Sequence, residues 1–266
     1  MPRRRRPTEA KVRVALLLAC LAPLAAVAAD PGYVRVPAGE FATVLAYEDA
    51  PGPQRVDAFE MMVRPVSNAD FQAFVRAQPQ WRRDRVSPLL AGRGYLQHWS
   101  ANDRPASGAQ AGQPVTHVSW FAASAYCSAQ GARLPRWIEW EYAAAADAKR
   151  RDARRDPAWR ERILAWYAEP ATRPLPASGA GAPNAYGLRD LHGVVWEWID
   201  DHASLLVSGD NREQGDPDKA RFCGAGALSV ADREQYAVLM RVALLSSLEA
   251  ADSTSRLGFR CVKDVR

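Results

Sequence analysis

The sequence predicts a single α+β domain with much irregular structure, and three observations lead there. Near its start the chain alternates apolar and polar residues around a turn, as short strands do. Three later stretches carry apolar residues at helical spacing behind capping residues. Between and after them turn-forming residues are dense, and no internal repeat or clean boundary divides residues 30–266.

Taken in order, YVRVPAGEFATVLA (33–46) alternates around a Pro-Ala-Gly turn and reads as two short strands or a hairpin. VDAFEMMVRPVS (56–67) reads as a further strand. SNADFQAFVRAQ (67–78) reads as a helix, with Ser67 as cap, Asp70 three residues on, and Phe71, Phe74 and Val75 on one face. Residues 79–113 read as a long loop. In PVTHVSWFAASAYCSAQGARLPRWIEWEYAAAA (114–146), Ser119 caps one helix that Gly131 stops, and Pro135 opens another through Trp137 and Trp140. KRRDARRDPAWRER (149–162) could face an anionic partner, but its interleaved acids read as a solvated helix face. PATRPLPASGAGAP (170–183) is a loop, and short strands and turns follow.

The first 29 residues stand apart. A basic stretch precedes the apolar run VALLLACLAPLAAVAA, with small residues up to Ala28 and Ala29. That pattern is a cleaved secretory signal peptide and predicts a periplasmic or secreted protein. The run is short for a membrane span and carries Pro23, and it continues well past Cys20, which argues against a lipoprotein signal. The leader holds six basic residues and one acid, which equals the whole net charge of +5. The remaining chain is near neutral, so nothing in it points to nucleic acid. Its membrane contact is expected only through the signal. Residues 30–266 keep Cys127, Cys223 and Cys261. In an oxidising compartment one disulfide is expected, with one thiol left over.

Five motifs in order, VRVPAGEF, RPVSNADFQAFV, PVTHVSWFAASAYCSAQGARLPRWIEWEYAAAA, NAYGLRDLHGVVWEWIDD and LGFRCVKD, resemble the formylglycine-generating-enzyme, or sulfatase-modifying-factor, family. The resemblance spans nearly all of residues 30–266 and implies a variant of the C-type lectin fold. ILAWYAEP, LHGVVWEW, RFCGAGAL and YAVLMRVALLSSLEA are most similar to a periplasmic subgroup associated with copper nitrite reductases.

Founding members of the family hold copper(I) on two cysteines five positions apart, a soft metal on soft ligands. By resemblance, Arg241 matches the family arginine, and the thiol positions fall near Asp232 and Ala237. No cysteine occurs from 224 to 260, so the formylglycine reaction is expected to be absent. The family's structural disulfide implies a Cys127–Cys261 pair; from the residues alone, pairing of either with Cys223 stays open. Cys223, the odd thiol in a glycine-rich stretch, is the candidate catalytic residue, as a copper or iron thiolate or a redox thiol; its alternative is a buried core residue.

The resemblance also implies a calcium site in DLHGVVWEW. Asp190 and Glu197 would supply carboxylates, and His192, Gly193 and Val195 backbone carbonyls. The alternative is a turn closed by Asp190. His98, His117, His192 and His202 show no metal-ligand spacing and read as surface or satisfied core groups. Trp137, Trp140, Trp196 and Trp198 read as core, or as the lining of a groove. The expected function is an accessory or maturation factor for a periplasmic metalloenzyme of copper-dependent denitrification, with a protein or peptide partner. The alternatives are an oxidoreductase rewired around Cys223 and a ligand-binding module.

Overall fold

A computed structural model describes Met1 and residues 32–45, 52–170, 172–205 and 236–265. The leader, Cys223 and Asp232 lie outside the described residues.

The core sheet joins the two ends of the described chain. Strand β1 (Tyr33–Val36) pairs antiparallel with β4 (Phe59–Met62), setting Tyr33 opposite Met62 and Val36 opposite Phe59. β4 pairs on its other edge with β7 (Val262–Asp264), setting Met61 opposite Val262. β2 (Gly39–Phe41) pairs antiparallel with β3 (Gln54–Val56). The strands on either side of the Pro-Ala-Gly turn therefore pair with other partners and form no hairpin with each other. β5 (Trp196–Glu197) runs parallel to β6 (Leu257–Gly258). Both β4 neighbours bury their apolar sides: Val36, Phe59, Met61, Met62 and Val262 are at most 1% exposed.

Helix α1 (Asn68–Ala77) begins as the sequence predicts, in a capping box. The Ser67 hydroxyl accepts from the Asp70 amide, and the Asp70 carboxylate accepts from the Ser67 amide at 2.9 Å. Arg64 holds Asp70 at 2.7 Å, and its hydrogen bonds with Arg64 and Ser67 outweigh burial and keep the carboxyl below its ordinary range. The loop of 79–113 contains a 3-10 turn at Pro79–Trp81 and one short α-helix, α2 (Gly108–Ala111). α3 (Trp120–Ser128) is capped by Ser119, and Gly131 follows at φ +64°, where a side chain would be strained. α4 (Trp137–Ala144) follows Pro135, with the Glu139 carboxylate accepting from the Arg136 amide at 2.8 Å.

α5 (Pro157–Tyr167) starts later than the charge run suggests. Pro157 sits at its first position behind Asp156, and Trp159, Ile163 and Tyr167 form its inner stripe at helical spacing. Residues 149–156 are instead a turn laced by ion pairs, Arg150 with Asp147 and Asp156, and Arg154 with Asp152. The last helix is α6 (Tyr236–Ser246). No described helix is long and apolar enough to cross a membrane.

Cys127 of α3 and Cys261, just before β7, form a disulfide with Cα atoms 5.5 Å apart and a sequence separation of 134. Around it Phe71, Tyr126 and Phe259 stack edge-to-face or offset at 5.3–6.0 Å between centroids. A loop of this length gives a stabilisation of about 5 kcal/mol in the chain-entropy model. Cys127→Ser is expected to lower the unfolding free energy by about 3–5 kcal/mol in urea titrations. Adding dithiothreitol should bring the wild type down to the variant and leave the variant unchanged.

Candidate functional site

The short strand β5 divides two environments, because neighbouring side chains on a strand point to opposite sides. Glu197 points inward and is fully buried. Arg260, also fully buried, grips it with Nε at 3.0 and 2.9 Å from the two carboxylate oxygens and Nη2 at 2.8 Å from one. Trp140 of α4 donates its indole N–H to the same carboxylate at 2.8 Å. The remaining Arg260 donors reach the carbonyls of Met62 and Arg189 at 3.2 and 2.8 Å.

A second guanidinium lies above this pair. Arg241 of α6 is 2% exposed and stacks 3.5 Å over the Trp140 ring. Its Nη2 donates to the Glu197 backbone carbonyl, and its Nε has no partner among the described residues. Burial pulls this guanidinium down to about 10, against the attraction of Glu197 and Tyr167, so it is still charged at neutral pH.

His192 lies under the same tryptophan, with Trp140 and Trp159 edge-on to its ring at 5.5 and 5.6 Å. Its Nε2 donates to the Ala144 carbonyl at 3.0 Å, which leaves Nδ1 unprotonated and without a partner among the described residues. Burial lowers its pKa to about 4, so the ring is neutral. Asp190 adopts φ +59°, and its carboxylate accepts from the amides of Gly179 and Gly181 at 2.5 and 2.9 Å. A Cβ on Gly181 would stand 2.4 Å from that carboxylate, so the turn needs glycine there.

These contacts bear on the expected calcium ligands. The five residues lie in one short stretch that runs into β5, but its two carboxylates are held by different partners. Glu197 is occupied by Arg260 and Trp140, and Asp190 by backbone amides. A dication beside the Arg260 guanidinium would also be repelled. The expected carboxylate donor set therefore does not fit a calcium ion as arranged, and only backbone carbonyls of His192, Gly193 and Val195 are left from that set. Among the described residues no group of three or more His, Cys, Asp or Glu side chains could hold a metal ion.

On the outer side of β5 lies a cleft of about 170 Å³ lined by Trp166, Tyr167, Glu169, Pro170, Trp196 and Arg256. Trp166, Tyr167 and Trp196 form one wall, with centroids 4.8–5.5 Å apart. Burial raises the Tyr167 pKa, so its phenol stays neutral. Of the four tryptophans singled out in the sequence, Trp137, Trp140 and Trp198 are core, at 2% exposure or less. Trp196 alone reaches a cleft. Trp166 and Tyr167 escaped sequence reading, although ILAWYAEP places them at the end of an amphipathic helix.

A family model described as sulfatase-modifying factor enzyme 1-like domain matches residues 21–265. The chain belongs to this family. It is 32% identical to a formylglycine-generating enzyme of Streptomyces coelicolor over 93% of this chain and 97% of that protein. It is 35% identical to a mouse protein named inactive C-alpha-formylglycine-generating enzyme 2, over 64% of this chain and 69% of that one. The solved structure of PvdO from Pseudomonas aeruginosa covers 88% of this chain and 94% of its own, at 16% identity and a TM-score of 0.47.

Two expectations follow from the geometry. Glu197→Gln leaves the buried Arg260 without its counter-charge and should cost about 3–5 kcal/mol of stability. Because the partner is a guanidinium, denaturation curves should show the same loss in calcium and in chelator. His192 titrates lower when folded than its ordinary 6.5, so the unfolded chain takes up its proton first. Its contribution is intact above about pH 6.5 and is lost as pH falls toward 4. Urea titrations should show wild type losing about 3 kcal/mol more than His192→Gln across that window.

Proposed function

We propose that this family member is an exported accessory or maturation factor that binds a polypeptide and does not generate formylglycine. The observation that carries this is the lack of any cysteine from 224 to 260, in the stretch that includes α6. Ala237, matched by resemblance to a thiol position, lies in that helix one turn before Arg241. Copper(I) held by paired thiolates has no ligands there. The likeness to a mouse relative named inactive supports the reading, and the aromatic cleft beside α6 supplies a surface for a peptide. Its motifs ILAWYAEP and RFCGAGAL favour a partner among periplasmic copper enzymes of denitrification.

The test has two arms. Copper-loaded protein should leave a cysteine-containing sulfatase peptide unconverted by mass spectrometry. The exported, tagged chain should retain a copper enzyme on purification under denitrifying growth. Conversion of the peptide would overturn the reading, and retention of no protein would favour a small-ligand binding module.

A second reading has one observation in its favour. The Cys127–Cys261 disulfide leaves Cys223 as the one cysteine of residues 30–266 outside that bond. If Cys223 carries an oxidoreductase site, copper or iron should bind wild type and be lost in Cys223→Ser. Equal metal content in the two proteins removes this reading.

A further inference from the structure

Beyond the ion pairs that brace the turn at 149–156, the charge run leaves arginines on α5, whose far end lines the cleft. Three observations meet there. First, the cleft wall of Trp166, Tyr167 and Trp196 is half-buried, so its rings are packed yet reachable. Its volume of about 170 Å³ suits one ring-sized group, since cavities of about 150 Å³ accept benzene. Second, Leu164 of α5 and Met240 of α6 are 39% and 40% exposed, on two helices that pack together beside the cleft. Among the described residues few large apolar side chains are so exposed.

Third, the segment that carries α5 to the cleft is net positive. Residues 147–173 hold eight basic and five acidic side chains. Arg155 and Arg162 are exposed on this segment. Glu169, the acid in the cleft lining, is paired with Arg173. Arg241 lies close enough behind Tyr167 for its charge to act on the phenol. A cationic group on the aromatic wall would meet this field with the wrong sign, whereas carboxylates flanking an aromatic ring would meet it with the right one.

We propose that the α5–α6 face binds an acidic polypeptide segment and takes one of its aromatic side chains into the cleft. This rests on the polypeptide-binding reading above and names the chemistry of the partner. Trp, Tyr and Arg are the side chains that most often carry binding energy at protein interfaces, and here they surround one pocket.

The test uses residues 30–266 and three fluorescein-labelled pentapeptides, read by anisotropy. Asp-Glu-Phe-Asp-Glu should bind saturably, and Asp-Glu-Ala-Asp-Glu about tenfold more weakly. Lys-Lys-Phe-Lys-Lys should not bind. Trp166→Ala should weaken the first peptide about tenfold, with circular dichroism unchanged. Arg155→Glu with Arg162→Glu should weaken it similarly and flatten its salt dependence. Equal binding of the phenylalanine and alanine peptides would overturn the aromatic pocket. Preference for the lysine peptide, or no saturable binding by the wild type, would overturn the proposal as a whole. A partner that co-purifies equally with wild type and with Trp166→Ala would leave polypeptide binding standing and sink this surface.

Discussion

The Glu197–Arg260 pair is the contact on which the remaining geometry depends. Both side chains are fully buried, so neither charge can be left to solvent. A pair taken out of water is tolerable only when its geometry is close and the other donors are satisfied. Those requirements reach across the fold. Arg260 must meet β5 through Glu197, the end of β4 through Met62, and the turn before the site through Arg189. Glu197 must in turn meet α4 through Trp140. Cys261, the next residue, is tied to α3 by the disulfide and exchanges backbone and sulfur contacts with Met62. One short stretch, Phe259–Arg260–Cys261, thus joins the aromatic core, the ion pair and the covalent link.

Arg241, matched only by resemblance to the family's arginine, is held here by contacts of its own. Arg241 is buried on the Trp140 ring and bonded to the Glu197 carbonyl. A buried guanidinium in such a place is structural in its own right: removing it would open a void over Trp140 and strip a charged donor from the carbonyl. Its presence therefore does not imply that copper chemistry persists. The same inference applies to His192. Its ring is neutral, hydrogen-bonded to Ala144 and enclosed by two tryptophans, which fits a packing role.

How much of this was legible in the sequence varied with the range of the interaction. The caps at Ser67 and Ser119 and the stop near Gly131 are local devices and could be read directly. The resemblance gave the Cys127–Cys261 disulfide, which the structure contains. The pairing of β1 with β4, and of β4 with β7, was not legible, because strands of three or four residues carry too little pattern to choose a partner, which for β4 and β7 lies just over 200 residues away. The partners of the two DLHGVVWEW carboxylates were hidden for a related reason. Counting oxygen donors in DLHGVVWEW cannot show that Arg260, more than sixty residues on, already occupies Glu197. Asp190 did close a turn, the alternative that residue type alone had kept open.

The tryptophans show the same limit from the other side. WEW reads as one aromatic motif, yet Trp196 faces the cleft while Trp198 is sealed in the core with its indole on the Val118 carbonyl. The strand has only two residues before the chain turns, so period-two alternation ends before it could set both rings on one side. What makes Trp196 a surface residue is α5, which lays Trp166 and Tyr167 against it. That helix is placed by Trp159, Ile163 and Tyr167 on its inner stripe and by Pro157 at its start, so its outer side is free to carry the arginines. Packing thus fixes where the aromatic wall stands, and the charges left outside it fix the sign of what can approach. The cleft is in this sense a by-product of how α5 docks, so its lining can vary without any change in the ion pair beneath.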